Sequence, residues 1–309
     1  MLSTVSWNDW ADATDATDRT DTTKRTDETD VRWVIGTLRG RTGMAAMCIA
    51  AAACGSPPTR LGTTFSLEQS GALIGIDLAW HGARFVTIVG PSGQILRSAA
   101  AGDLDVVVTH APSLERRLVA DPGHAALTCP LFASRFAIIG PPGDPAAIRG
   151  LTSAVEAMRR IADVGAVFVS RSDSSGTHEK ELELWRLAGV DPGPTLWYVE
   201  SGASQAGNVL QASNWRAYTL SDLPTFALLK DRRGDALDLE VLVAPPGDTA
   251  LTNPYTLYLT APPERRERAR ALAAWLATTW RERMLALRLP GGEAAFVARR
   301  DSTCVSAPP

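Results

Sequence analysis

From Leu61 onward the chain alternates short apolar runs with stretches whose apolar residues recur every three or four positions, and Gly, Pro, Ser and Thr separate the two kinds. That is the pattern of strands alternating with helices, an α/β chain. Residues 85–89, 105–109, 136–139, 166–169, 197–200, 217–220 and 256–260 read as strands. Helices are expected through Trp80 with Ser66 or Ser70 as cap, over 94–101, over 114–119, and over 153–163, where Ser153-x-x-Glu156 is a capping box and Gly165 a stop. A further helix follows Thr177, with Leu182, Trp185 and Leu187 as its buried face. A long one starts at Pro262-Pro263, and its Ala269, Leu272, Ala273, Leu276, Trp280 and Met284 fall on one side. Gly140-Pro141-Pro142-Gly143 reads as a crossover between two lobes, and the strand after Asn253-Pro254-Tyr255 as the return.

With 309 residues, 45% of them hydrophobic, the chain is long enough for two lobes with cores. A net charge of −3 gives no basic field for nucleic acid, so recognition of an anion has to be local. Residues 1–33 are a Thr/Asp-rich repeat that cannot build a core and is expected to be disordered or to precede the true start, near Val31, Val34 or Leu38. Residues 34–54 then hold Arg39 and Arg41, the apolar run 44–53 and Cys54, the layout of a bacterial lipoprotein signal with Cys54 as the lipidated residue. The run of ten is too short to span a bilayer. Residues 55–60 are expected to form a tether, 61–140 with 254–309 the first lobe, and 141–253 the second. Cys129 and Cys304 remain for the mature domain. They could pair in an oxidising compartment, although sequence alone leaves their separation open.

The candidate chemistry lies at two hydroxyl-rich junctions. Thr63-Thr64-Phe65-Ser66 and Ser170-Arg171-Ser172-Asp173-Ser174-Ser175-Gly176-Thr177 each lead into a helix, and the second follows an apolar strand. Free N–H groups at a helix start, the helix dipole and hydroxyl donors together favour negative charge, and Arg171 adds a planar fork of donors. Either junction alone is read as an ordinary helix cap; together they read as an anion seat.

Taken in order, these motifs resemble the extracytoplasmic tungstate-binding proteins of ABC importers, within the type II periplasmic solute-binding proteins, over most of residues 61–297. Thr63-Thr64-Phe65-Ser66-Leu67-Glu68-Gln69-Ser70-Gly71 matches the family's Thr-Thr-Thr-Ser-x-x-x-Ser-Gly, and Gly102-Asp103-Leu104-Asp105-Val106 with His110-Ala111-Pro112 matches its second block. Phe168 to Glu181 matches the third, around Ser-Arg-Gly-Asp-x-Ser-Gly-Thr-His. The resemblance implies two hinged α/β lobes closing on a tetrahedral oxyanion, tungstate first, which is delivered to an ABC transporter permease by a lipid-anchored monomer without a cofactor. It implies ligand contacts from Thr63, Thr64, Ser66, Ser70, Arg171, Ser175, Gly176 and Thr177.

Departures from the pattern bear on affinity and selectivity. Phe65 and Leu67 replace hydroxyl residues, Glu68 brings a carboxylate near the first anchor, and Phe132-Ala133-Ser134-Arg135, Gly202-Ala203-Ser204-Gln205 and Asp222-Leu223-Pro224-Thr225 differ from the family's segments. Arg135 is thereby either a second cation for the ligand or a surface residue. The alternatives are a diverged receptor or sensor for molybdate, sulfate or another small anion, or an enzyme on the same fold. For the enzyme, His110 and His178 are the available groups, while Cys129 has no evident partner. No Gly-x-Ser-x-Gly, Walker, His-Glu-x-x-His or dinucleotide motif is present, and no zinc spacing.

Overall fold

The computed structural model describes residues 56–306. The Thr/Asp-rich segment 1–33 and the signal 34–54 with Cys54 lie outside the described residues. The first lobe is built on parallel strands β1 (Thr59–Thr64), β2 (Phe85–Gly90) and β3 (Val106–Thr109), in the order β2-β1-β3. The next strand is β4 (Leu127–Gly140), the longest of the described strands. The second lobe contributes β5 (Phe168–Ser170), which pairs in parallel with β6 (Tyr198–Glu200), then β7 (Thr219–Asp222) and β8 (Glu240–Val243), both antiparallel to β4. The chain returns in β9 (Thr252–Leu259), which lies between β3 and β4 and runs antiparallel to both. Short strands β10 (Val297–Ala298) and β11 (Val305–Ser306) close the first lobe against β4.

β4 belongs to both lobes. As far as Arg135 it pairs with β9, and from Phe136 to Gly140 with β7 and β8. Its alternation continues across the change: Phe136 and Ile138 enter one cluster with Phe168, Leu184, Trp185 and Tyr218, while Ala137 and Ile139 enter another with Val169, Val209 and Phe226. The first lobe has its own core of Leu61, Val106, Leu257, Leu272, Trp280 and Phe296. Pro130 sits at a register shift in the β4–β9 ladder, where the missing N–H is tolerated.

Two helix expectations are corrected. No single helix runs to Trp80: Phe65–Gln69 and Ile76–Ala79 are separate short helices, and the N-cap position of the first is Thr64 rather than Ser66 or Ser70. In the helix Gly176–Ala188 the buried residues beyond its first two, Gly176 and Thr177, are Glu181, Leu184, Trp185 and Ala188, at steps of three, one and three. Leu182 and Leu187 are exposed, because that stripe turns them outward. Ser153 caps its helix as expected, accepting from Glu156 N at 3.3 Å. Cys129 and Cys304 form a disulfide.

Candidate functional site

Three strand ends bring hydroxyls and one guanidinium into the cleft between the lobes. At the end of β1, Thr64 has the extended backbone of an N-cap, but its side chain makes no capping bond. Thr64 Oγ1 and Ser66 Oγ are both buried and without a partner. At the neighbouring end of β2, Thr64 lies opposite Gly90 in register, and Ser92 opens the helix Ser92–Ala100 with its Oγ buried and unpartnered in the same way. A buried hydroxyl left unpaired costs about 1–3 kcal/mol. Three of them on adjacent strand ends are best explained by an acceptor that belongs there.

The third strand end supplies the cation. After β5 the loop turns through Ser172 and Ser174, both at positive φ (44° and 59°), before the helix Gly176–Ala188 begins. Arg171 is 1% exposed, and its fork is aimed by two acceptors, Gln205 Oε1 on Nη1 at 3.0 Å and Asp173 on Nη2. Nε has no partner. Ser175 caps the helix by accepting from His178 N at 3.2 Å, which leaves its hydroxyl proton free to donate. The first intrahelical bond is Glu179 N to Ser175 O, so the amides of Gly176 and Thr177 head the helix with the positive end of its dipole. Burial pulls the Arg171 guanidinium down, while Asp173, Asp222 and Glu181 hold it charged.

The other expected contacts are placed differently. Thr63 and Ser70 are buried beside the first junction, but their hydroxyl protons go to Val108 O (3.2 Å) and Leu67 O (3.1 Å). Thr177 Oγ1 donates to Gln205 Oε1 at 2.7 Å, so it positions Gln205 beside Arg171. Glu68 is exposed. The Arg135 guanidinium donates to the carbonyls of Ala244 (2.8 Å) and Pro245, and so clips the β8 end rather than joining the site. Asp105 is tied to Arg60 N at 2.8 Å and Arg265 Nε at 2.7 Å, a structural clamp.

Three residues of the site were not among the contacts expected from the sequence, although Gln205 and Asp222 lie in segments that depart from the family pattern. Ser92 could have been found from the strand-turn-helix pattern around Gly90-Pro91-Ser92-Gly93. Gln205 was legible only as a departure from the family segment, since one amide side chain after a loop of small residues does not by itself name a partner. Asp222 heads the helix Leu223–Arg233, is fully buried, and has neither carboxylate oxygen hydrogen-bonded. The Thr225 hydroxyl and amide face this carboxyl closely enough to favour its charged form but without hydrogen-bond geometry, and burial outweighs them and the Arg171 charge, pushing the carboxyl up to about 7.

His110 and His178 are held by structural partners. His110 is buried, stacks on Tyr255 at 4.9 Å and shares its Nδ1 with Asn253 Oδ1 at 2.7 Å; desolvation pulls it down to about 3, so the ring is neutral. His178 Nδ1 accepts from Ser174 N at 3.4 Å and steadies the donor loop.

The cleft is shut. Gly93 N donates to Ser174 O at 3.0 Å, Ala206 N donates to Gln69 Oε1 at 2.7 Å, and Thr225 Oγ1 donates to Ser66 O at 3.4 Å, each bond joining one lobe to the other.

A family model described as a PBP superfamily domain matches residues 58–279. This chain belongs to the PBP superfamily. A Haloferax volcanii protein named for anion binding in an ABC transporter is 39% identical over 201 residues, which is 63% of this chain and 57% of that protein's own length. The solved structure titled as the tungstate ABC transporter from Geobacter sulfurreducens is similar at 34% identity and a TM-score of 0.62, covering 73% of this chain and 97% of that one. The tungstate binding protein TupA from Desulfovibrio alaskensis G20 is similar at 28% identity and a TM-score of 0.65, covering 79% of this chain and 99% of that one. As a PBP-superfamily chain, this protein holds its unpartnered donors where two lobes meet.

Proposed function

We propose that this protein is an extracytoplasmic solute-binding protein that captures a tetrahedral oxyanion, tungstate first, and hands it to an ABC transporter permease. The observation that carries the reading is the set of buried donors left without acceptors: Thr64 Oγ1, Ser66 Oγ, Ser92 Oγ and Arg171 Nε, drawn from both lobes. A dehydrated dianion needs several such donors, because burying its charge uncompensated is prohibitive. The names of the two solved relatives favour tungstate among dianions of that shape.

The site binds rather than transforms on this reading. Its buried hydroxyls are unpartnered donors that suit an anion, and the neutral ring of His110 is engaged with Asn253 rather than with a nucleophile. The disulfide between Cys129 and Cys304 fits an oxidising compartment. Among the described residues no helix is long and apolar enough to cross a membrane. Membrane attachment is assigned to a lipid on Cys54, on the strength of Arg39, Arg41 and the apolar run before it.

The deciding measurement is a thermal shift series with tungstate, molybdate, sulfate and phosphate on purified protein. Binding to the folded state alone raises stability by about 2.7 kcal/mol at a hundredfold excess over Kd. Tungstate is expected to give the largest shift, and no shift with any oxyanion refutes the function. For the anchor, membrane-associated protein beginning at a lipidated Cys54 is expected, with Cys54→Ser released.

A further inference from the structure

Resting on the oxyanion reading, we propose that Asp222 serves the cage as a neutral carboxylic acid that donates its proton to the bound dianion, so that loading takes up a proton whenever the empty site holds Asp222 ionised. The carboxyl lies at the end of β7, close enough to Arg171 and to the fully buried Tyr255 to couple electrostatically with both. The residue three positions on, Thr225, donates its hydroxyl to Ser66 O, which places this helix start against the Ser66 junction. Among the neighbouring carboxylates, Asp173 takes Arg171 Nη2 and Ser175 N, Glu181 takes Ser170 Oγ, Trp185 Nε1 and Tyr198 OH, and Glu179 has one buried oxygen, Oε2, without a partner. Asp222 takes none, with both oxygens buried.

Charge decides what such a group can do beside a dianion. Arg171 is the cation of the cage, and it already faces Asp173. Adding a dianion beside an ionised Asp222 would place two further like charges against it in a dry site, and like charge disfavours ionisation. Once protonated, the same carboxyl changes from a pure acceptor into a donor. An anion that carries no proton offers only acceptors, so a neutral Asp222 suits tungstate, molybdate and sulfate. An ionised Asp222 would suit a proton-bearing anion such as hydrogen phosphate.

The titratable and charged groups around Asp222 are Arg171, Tyr255 and, beyond Arg171, Asp173 and Glu181; His110 nearby is neutral. Tyr255 is held protonated, its hydroxyl raised well above its ordinary range by burial and by Asp222. Glu181 also titrates near 7, but it keeps three donors whether or not the cage is filled.

Tungstate titrations by calorimetry between pH 6.5 and 9, in buffers of different ionisation heat, read both affinity and proton count. With Asp222 as proposed, affinity is flat near pH 6.5 and falls about tenfold per pH unit above about 7, with uptake approaching one proton per anion. Asp222→Asn, whose amide donates where the acid would, removes the pH dependence of the affinity that remains and brings the proton count to zero. Glu181→Gln leaves the proton count unchanged, which separates the two carboxyls even where the asparagine variant fails to fold. A parent protein that binds tungstate with a flat profile and no proton uptake overturns the proposal while leaving the oxyanion function standing. A parent that binds no oxyanion at any pH overturns both. Phosphate binding that strengthens above pH 7 while tungstate affinity stays flat would assign Asp222 the opposite, ionised role and also overturn it.

Discussion

Gly93 N donates to Ser174 O at 3.0 Å, so the start of a first-lobe helix is bonded directly to the donor loop of the second lobe. A Cβ on Gly93 would stand 3.0 Å from that oxygen and 3.2 Å from Ser174 Cβ, closer than an ordinary contact. The position is helical and not at positive φ, so Ala there is expected to stabilise by about 0.4–1 kcal/mol by restricting the unfolded chain. Gly93→Ala is therefore expected to leave the unliganded protein as stable as the parent or more so, and to weaken anion binding by roughly 1–3 kcal/mol, the usual cost of overpacking. Calorimetry and thermal melts on the same sample separate the two effects. Weakened binding with an equal loss of stability would mean the glycine serves the helix and not closure.

Arg171 is aimed by Gln205, whose Oε1 also receives Thr177 Oγ1, so cation, amide and helix start form one hydrogen-bonded unit. Arg171→Ala removes the charged partner and is expected to cost about 2–5 kcal/mol of oxyanion binding. Arg171→Lys recovers only part, because a lysine cannot keep Gln205 and Asp173 on a planar fork. Gln205→Leu, which leaves the charge but removes its aim, is expected to weaken binding by about 1 kcal/mol or more. Full affinity in Arg171→Ala by calorimetry would place the anion elsewhere.

What could be read before the fold was known follows from how local each signal is. The junctions at Thr64-Phe65-Ser66 and Arg171 to Thr177 were legible because strand, hydroxyls and helix are consecutive in the chain. The roles of Asp222 and Gln205 were not, since each comes from Arg171, which lies 51 and 34 residues away in the sequence. The same reasoning explains β4. The apolar run marks a strand only over 136–139 because Pro130 and Arg135 interrupt it, although the pairing with β9 carries the strand back to Leu127 through a register shift. The misread face of Gly176–Ala188 has another cause. Glu181 occupies a core position, paired with Ser170, Trp185 and Tyr198, so the hydrophobic spacing points at Leu182 and Leu187 instead.

Glu181 and Asp222 also fix the sign of a pH effect on stability. Burial raises both to about 7, well above their ordinary values. A carboxyl whose folded value is raised stabilises below its unfolded value, and that contribution is lost as pH rises through the folded value. His110 and His178 are lowered and act in the opposite direction, but only below their ordinary value of 6.5. The window left to the carboxyls runs from about 6.5 to 8, and there each loses roughly 1 kcal/mol. Melting of the anion-free protein is expected to fall by a few degrees across this window, and Glu181→Gln is expected to flatten the slope. A melting temperature that stays flat from pH 6.5 to 8 would show that these groups are already ionised in the fold.

The disulfide joins Cys129, fully buried in β4, to Cys304, next to the residue of β11 that pairs with Thr128. It ties the end of the described chain to the strand that passes between the lobes, and it closes a loop with a sequence separation of 175. Loop entropy for that length sets an upper figure of about 5 kcal/mol, and typical bonds deliver 2–4 kcal/mol. Cys304→Ser leaves Cys129 as a small buried thiol, which a core accepts without a new polar penalty. The variant is therefore expected to lose about 2–4 kcal/mol, seen as a melting temperature lower by roughly 5–15 °C for a domain of this size. Its anion affinity should match that of the parent, because neither cysteine is among the donors of the cage. Reductant should reproduce the loss in the parent and have no effect on the variant. Alkylation followed by mass measurement, before and after reduction, reports whether Cys129 and Cys304 are joined in the starting sample. If both alkylate without reductant in freshly secreted protein, and the melting temperature ignores reductant, the bond is not part of the working molecule.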